Sequence, residues 1–378
     1  MTAQTATRVT GRDYLAVDQV TAAAYEIPTE RPEADGTLAW SSTTLVVAHV
    51  TGGGRIGIGY SYADAACKPL IEGKLAGAVV GHDVLDVGAA WQAMVRAIRN
   101  LGRPGLVSCA ISAVDTALWD LKATLLGLPV CRLLGQARDE VPVYGSGGFT
   151  TYDEPAARAQ LEQWTGEWGI PRVKIKIGES WGAAATRDLE RIAFARRVIG
   201  PGAELYVDAN GGYTRKQAVR VAHAMAAHDV TWFEEPVSSD DLDGLREVRD
   251  QVAPDVAAGE YGYDLAYFAR MVGAQAVDCL QADVTRCGGI TDFLRASAVA
   301  AASGLQVSAH CAPNLHAHVC AAVPNLRHLE YFHDHVRIES MLFDGALDPR
   351  GGALRPDTAR PGLGIALKAA DAEKFRVA

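Results

Sequence analysis

Ionisable side chains recur in this sequence at the points where short, β-rich runs end. Lys174 and Lys176 alternate with valine and isoleucine in one run, so both lysines should point to the same face of a strand. Asp208, Glu234 and Glu260 end three later runs, at intervals of 26 residues. An interval of that length fits one strand, one helix and their loops, so the three carboxylates should converge. Three carboxylates without cysteine or histidine favour a hard divalent cation, and therefore Mg²⁺ over Zn²⁺.

The two lysines have a chemical explanation if they face such a metal site. Nearby positive charge disfavours the ammonium form, so the metal and Lys174 should lower the pKa of Lys176 and leave a neutral amine that accepts a proton. Asp283 and His310 end two successive later runs, an order that lets the carboxylate orient the imidazole as an acid or base. Glu330 ends the last run.

Each of these residues, taken singly, has an ordinary structural explanation. Asp208 could be an N-cap, Glu234 a loop acid and His310 a core histidine. Those explanations predict scatter along the strands. The shared position at the ends of consecutive runs predicts a single active site instead.

The runs that carry these residues alternate with helical stretches from Val141 onward. Eight β-rich runs follow one another over roughly 190 residues, a pattern typical of a parallel (β/α) barrel, whose catalytic groups lie at the carboxyl ends of the strands. The N-terminal part differs. Residues 43–63 predict a β-hairpin, and residues 109–135 have helical periodicity that stops at Gly127. The sequence therefore predicts an α+β part before the barrel.

The composition excludes several classes of function. The chain has 378 residues, of which 49% are hydrophobic and 21% charged, so it can build one large or two ordinary globular domains. With a net charge of −9 and no basic tract, nucleic acid is not an expected partner. No run approaches the length of a membrane span, and no signal-peptide core is present. Seven single cysteines without a CxxC pair indicate a reducing cytoplasm.

Two other motifs support competing hypotheses. Gly52, Gly54 and Gly57 match the GxGxxG pattern of dinucleotide-binding folds, but a strand follows them where that fold needs a helix. His316 and His318 form an HxH pair, which leaves a zinc hydrolase open, although the pair follows a proline after the seventh run and not an early strand. A barrel used only for binding would have no reason to keep two bases.

The order of the motifs resembles the mandelate racemase subgroup of the enolase superfamily. The likeness runs over nearly the whole chain. It rests on the helical segment AISAVDTALWDLKATLLGLPVCRLLG, the Lys-x-Lys strand, VDAN, EEP, AGE, QADVTRCGG, the His310 strand and LEYF. The resemblance implies an α/β fold, a modified (β/α)₇β barrel at residues 139–337. It also implies an α+β capping domain formed by residues 1–138, with residues 338–378 packing back on it.

The resemblance also implies a role for each site residue. One Mg²⁺ ion would have three ligands: Asp208, Glu234 and Glu260. Two bases would face the substrate from opposite sides: Lys176, and His310 with Asp283. Two residues would contact the substrate carboxylate: Lys174 and Glu330. The shared chemistry is removal of the proton α to a carboxylate, helped by a metal that stabilises the enediolate.

The fate of the enediolate decides the reaction. Loss of a β-hydroxyl gives dehydration, reprotonation from the opposite face gives racemisation or epimerisation, and expulsion of an internal oxygen gives cycloisomerisation. We favour dehydration of an acid sugar to a 2-keto-3-deoxy acid, because histidines near the site and polar groups in a capping loop at residues 28–40 suit a hydroxylated substrate. Further substrate contacts are expected from five residues: Asn210, Trp40, Asp35, Tyr144 and His333. The expected partner is a small carboxylate, and the expected assembly a homo-oligomer.

Overall fold

The computed structural model describes residues 15–378, and its first part is a three-stranded antiparallel sheet covered by helices. The strands lie in the order β1 (Val17–Ala34), β2 (Ala39–Gly52) and β3 (Arg55–Tyr62). The helices are α1 (Cys67–Leu70), α2 (Ala76–Val79), α3 (Val87–Ala97), α4 (Leu106–Leu126) and α5 (Val130–Leu133). The predicted hairpin is confirmed as β2 and β3, and Gly127 ends α4 in the left-handed conformation, with a φ of 67°.

Close backbone packing explains two of the three GxGxxG glycines, Gly52 and Gly57. A Cβ atom at Gly57 would lie 2.2 Å from the carbonyl oxygen of Ala117 in α4, and one at Gly52 would lie 2.8 Å from the carbonyl oxygen of Ala16. Both positions therefore need glycine for backbone approach, which is a packing role. Within residues 15–378, no helix has the length and apolarity needed to cross a membrane.

The second part is a closed barrel of eight parallel strands, in which the last strand pairs with the first. The strands are β4 (Val141–Gly147), β5 (Arg172–Lys176), β6 (Glu204–Asp208), β7 (Val230–Glu234), β8 (Asp255–Ala258), β9 (Cys279–Ala282), β10 (Gln306–Ala309) and β11 (Leu326–Phe332). Seven helices connect them: α6 (Glu154–Glu162), α7 (Ala185–Ile199), α8 (Arg215–Met225), α9 (Leu242–Arg249), α10 (Leu265–Gly273), α11 (Ile290–Ala302) and α12 (Pro313–Cys320). The predicted (β/α)₇β barrel with an α+β cap is confirmed.

The C-terminal segment contacts both parts of the chain. It contains α13 (His333–Leu342), β12 (Phe343–Asp344), β13 (Ala353–Leu354), β14 (Ala366–Leu367) and α14 (Ala369–Ala372). Strand β13 pairs with β4 of the barrel, and the backbone of Ala378 accepts a hydrogen bond of 2.9 Å from Ala24 in β1. The predicted domain limits remain predictions, and the limit at 337/338 falls inside α13.

Strand β5 shows how an alternating pattern becomes a buried charged site. Val173 and Ile175 join the core between the sheet and its helices. Lys174 and Lys176 point to the barrel interior, where 0% and 5% of their surface is exposed. A layer of buried aromatic side chains that includes Tyr144 fills the interior below them, and the ammonium of Lys174 lies 5.3 Å from the centre of the Tyr144 ring. The apolar layer supports the two cations at the mouth of the barrel.

Candidate active site

Three carboxylates meet at the carboxyl ends of neighbouring strands. Asp208 ends β6, Glu234 ends β7 and Glu260 lies just beyond β8, and one oxygen of each lies within 4.8 Å of the others. All three side chains are buried, and Oε2 of Glu260 accepts no hydrogen bond within residues 15–378. A buried oxygen without a donor, in a set of three carboxylates, fits a hard divalent cation.

Two lysines share this carboxylate cluster. The ammonium of Lys174 contacts Glu234, and it lies 2.8 Å from Oε1 of Glu330 and 3.5 Å from Oδ2 of Asp208. Lys176 Nζ lies 2.5 Å from the same oxygen of Asp208. Because Lys174 has no exposed surface, its predicted contact with the substrate carboxylate stays a prediction.

Burial and the neighbouring carboxylates have opposite effects on the pKa of Lys176. Burial lowers the pKa of Lys176, but the nearby carboxylates, chiefly Asp208 and also Glu260 and Glu330, together outweigh burial, and the net shift is upward. The predicted lowering concerns a lysine that faces a bound metal ion, and it stays a prediction. A cation bound between the carboxylates would offset the effect of Asp208 and lower the pKa of Lys176.

His310 and Asp283 form the predicted pair. Nδ1 of His310 donates to Oδ2 of Asp283 at 2.9 Å, which leaves Nε2 for the cavity. Burial raises the pKa of Asp283, but the hydrogen bond from His310 and the electrostatic interactions with His310, His316 and Arg286 together outweigh burial, so the net shift of this carboxyl is downward. Nε2 of His310 lies 3.3 Å from Oε2 of Glu260. Lys176 therefore lies beside Asp208, at one side of the carboxylate cluster, and His310 lies beside Glu260, at the other side.

Glu330 connects the lysine side of the site with the histidine side. It accepts hydrogen bonds from Ser146 Oγ at 2.6 Å and from the backbone N–H of Cys311 at 3.2 Å. His310, Cys311 and Glu330 could also bring three ligand atoms within 4.8 Å of one another. Burial raises the pKa of the Cys311 thiol well above its usual value, so the thiolate that a metal needs is disfavoured.

A cavity of about 400 Å³ separates the barrel mouth from the β1–β2 hairpin, and both predicted bases, Lys176 and His310, line it. Of the predicted substrate contacts, Asp35, Trp40 and Asn210 also line this cavity. Two predicted contacts lie elsewhere. Tyr144 is fully buried below Lys174, because it lies in the middle of β4 and not at its end. His333 begins α13 and points to a separate cleft, with Nε2 3.7 Å from Glu30. The predictions for these two residues are corrected accordingly.

The predicted capping loop at residues 28–40 is mostly strand. The partners Glu33–Trp40 and Ala34–Ala39 extend the β1–β2 ladder almost to its tip, after an irregular register between Pro28 and Glu33. The side chain of Asp35 holds the turn, because it accepts the backbone N–H of Leu38 at 2.8 Å. The sequence suggested a loop because these residues are mostly polar, and it gave no sign that the end of β1 pairs with the start of β2.

The hairpin tip contacts the barrel directly behind Lys176. The backbone N–H of Trp181 donates to Gly36 at 2.9 Å, and a Cβ atom at Gly36 would lie 2.5 Å from the carbonyl oxygen of Ile177. A side chain at position 36 would therefore push the tip away from the strand end that holds the lysine.

Gly36→Ala should lower kcat/KM by about tenfold to 100-fold, because a small displacement of the hairpin tip would misplace the end of β5 that holds Lys176, and small misplacements of reacting groups cost that much. Gly88→Ala is the matched control, since a Cβ atom there meets nothing within 4 Å. Steady-state kinetics and thermal unfolding of both variants check this prediction. Equal kinetics in the two variants would show that the tip does not control the cavity.

Two arginines that the sequence analysis did not select contact residues of the site. Arg286 donates to the backbone oxygen of Glu260 at 3.2 Å, and its Nε lies 3.7 Å from Asp283. Its position three residues after Asp283 was the available signal. Arg191 in α7 donates to the carbonyl oxygens of Lys176 at 2.9 Å and Gly148 at 2.5 Å. Nothing in the local sequence of a helix could have indicated that contact.

Glu33 is a buried residue of the β1–β2 hairpin, and the pKa of its carboxyl group is shifted upward. Burial and the neighbouring Asp334 raise the pKa of Glu33 to about 8, and Trp40 Nε1 donates to its Oε2 at 3.0 Å. A raised carboxyl pKa means that the folded state binds a proton that the unfolded state has released. Stability due to this site should therefore fall as pH rises from the ordinary glutamate value towards 8.

Glu33→Gln should remove this loss and stabilise the protein by about 1–3 kcal/mol at pH 8. At pH 4, where the carboxyl is mostly protonated in both states, the variant and the unmodified chain should differ little. Denaturant unfolding at the two pH values measures the difference. Equal stabilisation at both values would show that ionisation of Glu33 is not the cause.

The HxH pair has no metal-site geometry. His316 Nδ1 lies 2.8 Å from the carbonyl oxygen of Cys311, and its Nε2 accepts the backbone N–H of Val284 at 2.9 Å. Both ring nitrogens of His316 are thus used within the core. Burial lowers the pKa of His318 to about 4, and the ring is buried. The zinc-hydrolase hypothesis is not supported.

Two family models match the chain. Residues 19–135 match "Mandelate racemase / muconate lactonizing enzyme, N-terminal domain", and residues 156–372 match "Enolase C-terminal domain-like". Together with the barrel and its cap, these matches define the class of protein. The chain belongs to the mandelate racemase / muconate lactonizing enzyme family of the enolase superfamily.

Relatives and solved structures agree with this assignment. The L-talarate/galactarate dehydratase of Salmonella typhimurium is 31% identical over 334 residues, which cover 86% of this chain and 81% of the relative. The 3,6-anhydro-alpha-L-galactonate cycloisomerase of Streptomyces coelicolor is 31% identical, covering 83% of this chain and 86% of the relative. A mandelate racemase/muconate lactonizing enzyme-like protein from Rubrobacter xylanophilus is 51% identical, with a TM-score of 0.92 over 96% of this chain and 99% of that one.

Proposed function

We propose that this protein is a magnesium-dependent lyase that dehydrates an acid sugar to a 2-keto-3-deoxy acid. The observation that carries the proposal is the placement of two bases, Lys176 and His310, at opposite sides of one carboxylate cluster in a single cavity. The similarity to an L-talarate/galactarate dehydratase supports the same reaction.

The metal would be held by Asp208, Glu234 and Glu260, whose oxygens converge and whose chemistry suits Mg²⁺. Similarity to a racemase of Streptomyces coelicolor described with bound magnesium supports that choice. When bound, Mg²⁺ would supply positive charge that stabilises the negative charge developing on the substrate carboxylate.

The proton transfers can be assigned to this chain's own residues. Lys176, in its neutral form, accepts the proton from the α-carbon. His310, held by Asp283 through Nδ1, presents Nε2 to the cavity and donates a proton to the β-hydroxyl, which leaves as water. The resulting enol then ketonises to the 2-keto acid. Glu330 lines the cavity and, as the resemblance predicts, contacts the carboxylate end of the substrate.

A panel of acid sugars, assayed with semicarbazide for 2-keto product, tests the proposal. At least one hydroxy acid should give a 2-keto-3-deoxy acid in the presence of Mg²⁺. Absence of 2-keto product from every acid in the panel would exclude the dehydratase assignment.

Two related reactions are the alternatives. Inversion at the α-carbon without 2-keto product would assign the protein as a racemase or epimerase. Conversion of a sugar lactone or an anhydro acid would assign it as a cycloisomerase, the activity in the name of the Streptomyces relative. All three begin with α-proton removal, which D₂O exchange measures directly.

The oligomeric state and the cellular location of the protein stay predictions. Homo-oligomer formation can be measured by light scattering. A cytoplasmic location fits the seven cysteines, all of which are buried free thiols.

A further inference from the structure

We infer that the substrate is a monocarboxylic sugar acid whose far end is uncharged, and not a sugar diacid. This inference rests on the proposed function and narrows the substrate class. It follows from the charges on the cavity wall that faces the end of the substrate opposite the reacting carboxylate.

That wall comes from β2, β3 and the turns next to them, and is called the cap wall here. Its polar side chains are four hydroxyls and two carboxylates: Ser42, Thr43, Thr44, Tyr62, Asp35 and Asp64. Leu38, Trp40 and Ala63 supply its apolar surface. No lysine or arginine of residues 15–378 lies in the cap wall.

The lysine and the arginine that line the cavity are both on the barrel side, and both already have carboxylate partners. Lys176 lies 2.5 Å from Asp208. Arg286 lies 3.4 Å from Glu260 Oε1 and 3.7 Å from Asp283, with its guanidinium 5.4 Å from the centre of the Tyr261 ring. Both side chains are therefore engaged at the barrel mouth, and neither is available to a second carboxylate at the cap wall.

Neutral hydrogen-bonding groups face the cavity instead. His335 lines the cavity, and its Nδ1 accepts the backbone N–H of Ala312 at 3.3 Å. An imidazole that accepts at Nδ1 and is neutral carries its proton on Nε2, and burial holds the pKa of His335 well below its usual value. Thr44 makes no side-chain hydrogen bond within the described chain, so its hydroxyl is available to a ligand. These groups suit sugar hydroxyls.

A second carboxylate at the cap wall would be unfavourable for two reasons. It would lose hydration without gaining a cation, and it would face the carboxylates of Asp35 and Asp64. Like charges that meet at an interface suppress the wrong partner strongly. A terminal hydroxymethyl or methyl group has neither cost and can contact Leu38 or Trp40.

The test compares acids of identical configuration that differ only at the far end, namely gluconate with glucarate and galactonate with galactarate. In whichever pair the Mg²⁺-loaded enzyme turns over, kcat/KM for the monoacid should exceed that for the diacid by at least about 100-fold. Thermal stabilisation by each acid gives a second readout that does not depend on turnover, and the monoacid should stabilise at lower concentration.

Asp35→Asn/Asp64→Asn should reduce the preference about tenfold, because asparagine keeps the hydrogen-bond acceptor and removes the charge. Asp18→Asn is the control, since Asp18 is exposed on β1 and lies at the other end of that strand from the cavity. Equal or better turnover of the diacids, with 2-keto product formed, would overturn this inference and leave the proposed function standing. No product and no α-proton exchange from any acid would remove the proposed function, and the inference with it.

Discussion

His310→Asn should reduce dehydration by about 10²- to 10⁴-fold, the usual cost of removing a catalytic proton donor. Nε2 is the ring nitrogen on the cavity side that can donate the proton, because Asp283 holds Nδ1. Asparagine cannot donate that proton with comparable ease. Substrate binding should change little, since the carboxylate cluster and Lys176 remain in place.

Exchange of the α-proton separates His310 from Lys176. In D₂O, Lys176→Ala should lose exchange from one stereochemical series and His310→Asn from the other, because the two bases lie at opposite sides of the cluster. His223→Asn is the matched control, since His223 is exposed on α8. If both variants lost exchange equally for both series, the assignment of two opposed bases would be wrong.

Asp208→Asn should reduce turnover by roughly 10³-fold or more, because loss of metal charge stabilisation costs several kcal/mol and each 1.36 kcal/mol is tenfold. Asp208 contacts Lys176 at 2.5 Å and also belongs to the carboxylate cluster, so the substitution affects both the base and the expected metal ligand. Unfolding should stay cooperative, since the change removes one charge from a crowded buried cluster and keeps its shape.

Metal binding provides the readout that distinguishes the two effects. Calorimetry should detect Mg²⁺ binding to the unmodified chain and to Asp243→Asn, a control on the exposed side of α9, and much weaker binding to Asp208→Asn. Treatment with a chelator should abolish turnover, and added Mg²⁺ should restore it. Full activity after complete chelation would refute the metal assignment.

The order of the site residues along the chain could be determined from the sequence alone. Alternating side chains in β5, and acids at the ends of β6, β7 and β8, follow from strand periodicity and from a repeat length of 26 residues. The alternation in β5 is a local pattern, and the 26-residue interval is an even repeat along the chain. In a barrel, residues at such even intervals occupy neighbouring strands and therefore lie close together in space. The convergence of the two predicted bases and the carboxylate cluster was therefore predictable.

Other features depend on contacts that no local pattern encodes. Tyr144 and His333 have suitable chemistry, but their depth in β4 and their direction at the start of α13 place them outside the cavity. The charge of Lys176 depends on an oxygen of another strand 2.5 Å away. Arg191 reaches the site from a helix, and Gly36 reaches it from the cap. Only the closure of the barrel and the docking of the hairpin bring these distant segments together, because distances between segments depend on packing and not on sequence spacing.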